Sequence, residues 1–287
     1  MPQVVYNRCY SLDPQVLRRV ETMIGTNRCF NHITQFNKLD IHNILAHSEL
    51  KQYVPETASY HDAESASIFN KHPVLYFKPC TGSRGIGVYR VTKMDNGELQ
   101  LNHHHSAPNV VFSSYEELRA EFDAEIETTP YMIQQGISVQ QLHGHNFDLR
   151  ALVQKNRRGA WSVTNVISRV AFGEYYNTSV CENIRTAAEV LKELYSAVQV
   201  EGLLHSLGRI SLKAADAIER GTNSHLGEIS VDFVLDTEGQ LWVVEINGKP
   251  EKNLYRSLPD HTDVYKRPLQ YAAYLLTRRR SLRRKKS

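Results

Sequence analysis

The stretch Asp232-Phe-Val-Leu-Asp-Thr-Glu-Gly-Gln-Leu-Trp-Val-Val-Glu245-Ile-Asn247 constrains this chain more than any other. Its two arms alternate and are rich in β-branched and aromatic residues, with a turn signal at Glu238-Gly239 between them, so it reads as an antiparallel hairpin. A turn centred there sets Asp232 directly across from Glu245. The period of two then puts Asn247 on the same face as Glu245. Two carboxylates opposed at roughly 5 Å repel each other unless a cation lies between them. All three side chains are hard oxygen donors, a set that suits Mg²⁺ or Mn²⁺ better than zinc. A shift by one residue would instead scatter the acids over a surface hairpin, and the stretch by itself leaves both options open.

A chain of 287 residues can bury one large core or two modest ones. No run approaches the roughly 20 apolar residues of a membrane span, and the first residues lack the layout of a signal peptide. Cys9, Cys29, Cys80 and Cys181 form no C-x-x-C pair and read as reduced thiols, the expectation being a cytoplasmic protein. The net charge is +3, yet seven positive charges lie in the tail after Thr277, which leaves the body at −4. Such a tail is either a solvated end or a patch for a polyanion; no aromatic residues are interleaved for base stacking.

Periodicity and capping signals predict mixed α and β. A helix from Pro14 to Ile24 has Asp13 as its cap and Gly25 at its end, and a second helix runs from about Asp40 to Tyr53. Strands are expected at Pro73–Lys78, Gly87–Thr92, Leu99–His104 and Val110–Phe112, followed by a helix capped by Ser114 and Glu117. Further strands fall at Tyr131–Gln135, Leu149–Lys155 and Trp161–Arg169. Helices are predicted over Cys181–Val200, Ser206–Arg220 and Val264–Arg280. Antiparallel hairpins on both sides of a connector near Gln135–His145 imply an α+β protein of two lobes with a cleft between them.

A second chemical signal is Val74-Leu-Tyr-Phe-Lys78-Pro-Cys-Thr-Gly82-Ser-Arg-Gly85-Ile-Gly87. Glycines let backbone N–H groups approach phosphate oxygens closely. No helix follows the turn, so this is neither a P-loop nor a dinucleotide fingerprint. Strands on both sides make it a flap over a triphosphate, with Lys78 neutralising charge, or simply a flexible hairpin. Lys38, at the start of a helix, says little alone.

In this order the three elements resemble the ATP-grasp superfamily, and the whole chain is similar to the YheC/YheD family of spore-coat-associated ATP-grasp proteins. The likeness runs from Val5-Tyr6-Asn7-Arg8 through Phe36-Asn37, Val54-Pro55-Glu56-Thr57, Lys78-Pro and Asp148-Leu-Arg150 to Gly227-Glu-Ile-Ser-Val-Asp232 and Glu245-Ile-Asn247-Gly-Lys249-Pro250. The resemblance implies that Lys38 and Lys78 contact the ATP phosphates, that Ser83, Gly85 and Gly87 lie in the flap, and that Gln134, Gln135 and Ile137 meet the adenine through backbone groups. Arg150 would face the γ-phosphate, and Arg169 would hold a substrate carboxylate or the transferred phosphoryl group. Asp232, Glu245 and Asn247 would bind Mg²⁺. Asp148 would orient Arg150, touch the nucleotide or form a structural salt bridge. The implied division is a short remnant of a preceding α/β segment (1–37), a small lobe with the flap (38–137), a large lobe with the metal site (138–277) and a basic tail (278–287). Only 37 residues precede Lys38, so the domain that usually leads the grasp is expected to be largely absent. Ser230 stands where many relatives show an extra acid.

The resemblance implies an ATP-dependent carboxylate–amine ligase acting through an acyl phosphate on small-molecule or peptide substrates. An ATP-dependent phosphotransferase and a non-catalytic ATP-binding coat protein are the alternatives. Of the 13 histidines, His103-His104-His105 and His143-Gly-His145 tempt a zinc reading, but strand alternation lets at most two of the first three share an ion.

Overall fold

A computed structural model describes residues 1–284 except 11, 104–108, 127, 174, 177, 179–180 and 259–260, and of residues 14, 182 and 278–284 the backbone only. His104, His105 and the basic side chains of the tail lie outside the described residues. The chain opens with strand β1 (Val5–Tyr6), helix α1 (Pro14–Ile24) and strand β2 (Cys29–Phe30), with β1 and β2 paired in parallel. The expected caps of α1 are present: the Asp13 carboxylate accepts from the Gln15 N–H at 2.8 Å, and Gly25 ends the helix at φ 103°.

Helix α2 (Lys38–Ala46) begins two residues before its predicted start, because the Asn37 side chain accepts from the Leu39 and Asp40 N–H groups. It ends at His47, and a separate 3-10 turn at Lys51–Tyr53 covers the rest of the expected span. Then come β3 (Thr57–Ser59), α3 (Glu64–Lys71), β4 (Val74–Pro79), β5 (Tyr89–Lys93), β6 (Leu99–His103), β7 (Val110–Phe112), α4 (Tyr115–Ile126) and β8 (Tyr131–Gln135). The strands form one antiparallel sheet, order β3-β8-β4-β5-β6-β7. Tyr60, Phe77, Phe122 and Tyr131 pack edge-on or tilted in its core.

The second sheet comprises β9 (Gln141–Leu142), β10 (His145–Lys155), β11 (Trp161–Ala171), β12 (Cys181–Thr186), β13 (Glu228–Leu235) and β14 (Leu241–Asn247), with α5 (Ala187–Leu191) and α6 (Ala197–Gly221) between β12 and β13. Its order is β12-β11-β10-β13-β14, and β9 pairs with β10. The helix predicted over Cys181–Val200 is thus a strand, a short helix and the first turn of α6. Residues 181–186 pair along β11, and Ser196 with Gln199 forms a capping box that starts α6 afresh. The last helix, α7 (His261–Arg284), follows a 3-10 turn at Lys252–Tyr255.

Helix α2 touches β3 at the edge of the flap sheet, but its apolar face is buried elsewhere. Ile41 and Leu45 share a core with Leu149, Val153, Leu207, Ala214 and Val231, so the helix that opens at Lys38 packs on the second sheet, and the first lobe proper begins near Thr57. This fixes Lys38 to the opposite wall of the cleft from Lys78. No described helix is long and apolar enough to cross a membrane.

Candidate active site between the two sheets

On β4 the buried residues Leu75 and Phe77 alternate with Val74, Tyr76 and Lys78, which face the cleft. Across the ladder, Tyr76 pairs with Gln134. Lys78 Nζ donates to Gln134 Oε1 at 2.6 Å, and Gln134 Nε2 donates to Thr57 Oγ1 at 2.9 Å. Gln134 therefore presents its side chain, and not only its backbone, to the cleft. Gln135 is the last paired residue of β8; its N–H donates to Glu56 O, and Gly136 and Ile137 carry the chain to the other lobe.

The opposite wall is a row of charges on adjacent strands. Arg150 on β10 pairs with Asp232 on β13, which pairs with Glu245 on β14, while Asp148 pairs with Arg169 on β11. The expected Asp232–Glu245 pair is present, though by an unexpected route. Near the turn the register is Leu235 with Leu241, one residue short of what that pair needs, and a bulge between Asp232 and Phe233 makes up the difference. Val244 and Glu245 in consequence both line the cleft. Without the bulge Glu245 would point into the core, since a one-residue shift turns a strand over. Asn247 follows on the same face and also lines the cavity.

Arg150 grips Asp232 with two bonds, Nε to Oδ1 at 2.7 Å and Nη2 to Oδ2 at 2.5 Å, and Arg169 Nη2 reaches Asp232 Oδ2 at 3.2 Å. Arg169 also binds Asp148 with two bonds, and Thr178 donates to the same carboxylate. Burial pushes the Asp232 carboxyl up, but Arg150 and Arg169 outweigh it and hold the group below the usual carboxylate range. Burial likewise lowers the Arg169 guanidinium, and Asp148 and Asp232 more than reverse it. Lys38 spans the gap: its N–H donates to Cys80 O at 2.7 Å, and its ammonium lies 3.2 Å from Glu245 Oε1. Burial first, and the Lys38 ammonium second, push Lys78 down to about 8, with Glu245 acting the other way.

These walls enclose a cavity of about 890 Å³. Lys38, Lys78, Ser83, Gly85, Gln134, Gln135, Ile137, Arg150, Arg169, Asp232, Glu245 and Asn247 all line it. Gly87 does not. Its φ is 71°, and a Cβ there would lie 2.7 Å from the Tyr131 hydroxyl, which donates to Gly87 O; it shapes the base of the flap. Tyr10, Arg84, Arg90, Tyr176, Thr178, Lys249 and Glu251 are among the other lining residues, and none of them was given a role from sequence. Arg84 stood inside the glycine-rich motif, and Lys249 lies two residues past Asn247, so both carried a signal in their position. Tyr176 reaches from the β11–β12 connection to donate to Val88 O at 2.9 Å, joining the second lobe to the base of the flap.

A family model described as YheC/D-like ATP-grasp matches residues 26–275. The chain belongs to this family. Two curated relatives from Bacillus subtilis strain 168 are the endospore coat-associated proteins YheD, 27% identical over 253 residues, and YheC, 23% identical over 244. These alignments take in 84% and 83% of the chain but only 55% and 66% of the relatives, so the chain spans roughly half to two thirds of their length. Among solved structures, the fold matches the C-terminal domain of K. lactis Pby1, an ATP-grasp enzyme, with a TM-score of 0.51 at 15% identity over 90% of this chain and 77% of that one. It also matches carboxyaminoimidazole ribonucleotide synthase from Aspergillus clavatus, complexed with ATP, with a TM-score of 0.55 at 15% identity over 86% of this chain and 54% of that one. Both likenesses establish the ATP-grasp fold.

The hinge offers a test of this geometry. A Cβ on Gly136 would lie 2.6 Å from Val74 Cγ1 and 2.8 Å from Val74 O, and backbone cannot yield as a flexible side chain can. Gly136→Ala is expected to destabilise the protein by about 1–3 kcal/mol and to weaken nucleotide binding, both read by urea denaturation with and without ATP. An unchanged midpoint would show that the hinge tolerates the methyl group.

Proposed function

We propose that the protein is an ATP- and Mg²⁺-dependent carboxylate–amine ligase, forming an amide or peptide bond through an acyl phosphate and releasing ADP and phosphate. The observation that carries this reading is the meeting of Lys78 from one sheet with Lys38 from helix α2 and Arg150, Arg169, Asp232, Glu245 and Asn247 from the other sheet in a single cleft. Two lysines and two arginines supply the positive charge that a transferring phosphoryl group requires. Among the described residues no group of three or more His, Cys, Asp or Glu side chains is placed to hold a metal. A divalent ion here would be held by the Asp232 and Glu245 carboxylates and the Asn247 amide, a hard donor set that fits Mg²⁺ when phosphate oxygens and water complete it. When bound, it would neutralise phosphate charge.

The protein's own part follows from the geometry. Lys78, held by Gln134, meets the phosphates from the flap side, and Lys38 meets them from the other wall. Arg150 and Arg169 are fixed in direction by Asp232 and Asp148, so they offer guanidinium N–H groups without reorganisation. The flap turn, with Ser83, Arg84 and Gly85 on the cavity wall, closes over the nucleotide and keeps water from the acyl phosphate.

A second reading, nucleotide binding without turnover in a coat-associated protein, is favoured by one observation: both oxygens of Asp232 already accept from arginines. The two readings separate when the protein is incubated with ATP, Mg²⁺ and pooled amino acids and short peptides. The ligase produces ADP and phosphate with a product one water lighter than its parts, and Glu245→Ala abolishes both. Binding with no turnover supports the second reading, and a product heavier by a phosphoryl group indicates a phosphotransferase.

A further inference from the structure

The lining of the cavity also draws on two distant segments, Tyr10 near the start of the chain and Lys249, Glu251 and Leu254 after β14. The start of the chain is held there by a buried clamp. Glu228 is fully buried; its Oε1 accepts from the Tyr6 hydroxyl and from Arg8, and its Oε2 accepts from Gln154 at 2.8 Å and lies 3.0 Å from Lys252 Nζ. Arg8 Nη2 also donates to Pro250 O at 2.9 Å, which ties the first segment directly to the second.

The clamp brings Tyr10 and Lys249 together, with the ammonium 3.2 Å from the centre of the Tyr10 ring. A cation over an aromatic face is stabilised without being neutralised, so it still attracts an anion. Neither Lys249 nor Glu251 has an ion-pair partner among the described residues. The two opposite charges both line the cavity without bonding to each other. That arrangement complements a ligand carrying both signs, whereas a simple amine would be repelled by Lys249.

Resting on the ligase reading, we infer that this part of the cavity wall holds the amine-donating substrate and that this substrate is a free α-amino acid, its carboxylate on Lys249, its ammonium on Glu251 and its side chain between Tyr10 and Leu254. The first ten residues thereby furnish part of the substrate pocket.

The test uses the full chain saturated with a non-hydrolysable ATP analogue and Mg²⁺, titrated calorimetrically with each of the common amino acids and with the matching amino acid amides. At least one amino acid should bind, and its amide, lacking the carboxylate, should bind about tenfold more weakly or worse. Lys249→Met should remove that preference by weakening the acid and not the amide. Tyr10→Ala should weaken the acid. Titration of the analogue itself reports whether each variant keeps an intact cleft. Amides that bind as well as acids, or no amino acid binding to protein that does bind the analogue, would overturn the inference. Failure of the wild-type protein to bind the analogue would instead overturn the ligase reading beneath it.

Discussion

Asp232→Ala is expected to damage both stability and turnover, whereas Glu245→Ala damages turnover almost alone. The two carboxylates face each other across one ladder, yet they are set in different surroundings. The Asp232 side chain is 3% exposed and is shared by Arg150 and Arg169, themselves 10% and 13% exposed. Removing it leaves Arg150 without its partner and Arg169 with Asp148 alone. Breaking one side of a buried ion network costs about 3–5 kcal/mol, because the remaining charge loses compensation and not merely a contact. Glu245 is 30% exposed and pairs with the Lys38 ammonium at 3.2 Å, a partly solvated contact worth about 1 kcal/mol or less. Urea denaturation of both variants, set beside ADP release, separates the effects. An Asp232→Ala protein as stable as wild type would show that the arginines are not held as described, and Arg150→Met combined with Asp232→Ala should recover part of the loss by removing the stranded charge.

What the sequence disclosed and what it withheld follow from which forces are local. Lys78 could be read locally, because a strand end and glycines in a turn are short-range signals, whereas Gln134 and Ser83 entered only through the family resemblance. The Asp232–Glu245 pair was expected from a turn centred between Glu238 and Gly239, but the observed turn is one residue shorter in register, and a bulge restores the pairing. Val243-Val244 reads as ordinary strand sequence, and nothing in it marks the extra residue. Helix α2 shows the same limit in another form. An apolar stripe says that a helix must pack, not on which sheet, so Lys38 was assigned to the flap lobe although Ile41 and Leu45 bury themselves in the other. Cys181–Thr186 was read as the start of a helix running to Val200; its strand form depends on the ladder that β11 offers. Tyr10 and Lys249 meet through contacts between segments far apart in the chain, the buried Glu228 clamp among them, which no local pattern announces.

The second large effect concerns pH. Nucleotide affinity should be flat up to about pH 7 and then weaken above about pH 8, approaching tenfold per pH unit. Its cause is Lys78, which burial and the neighbouring Lys38 push down to about 8, so that above this value phosphate binding must first recover a proton. The stability of the free protein should move in the opposite sense. An unfolded lysine titrates near 10.4, so between about pH 8 and pH 10.4 the unfolded chain holds a proton that the folded one has lost. From this group alone, stability then rises with pH through that window by up to about 1.4 kcal/mol per unit, while nucleotide affinity falls. Lys78→Arg keeps its charge throughout and should flatten both profiles. Lys38→Gln removes a repelling cation and should move the alkaline limit of binding upward, whereas Glu245→Gln removes the opposing attraction and should move it downward. Calorimetric titration of ATP from pH 6.5 to 9.5 for the four proteins decides the matter. A wild-type profile that Lys78→Arg leaves unchanged would assign the titration to another group and separate Lys78 from the phosphates.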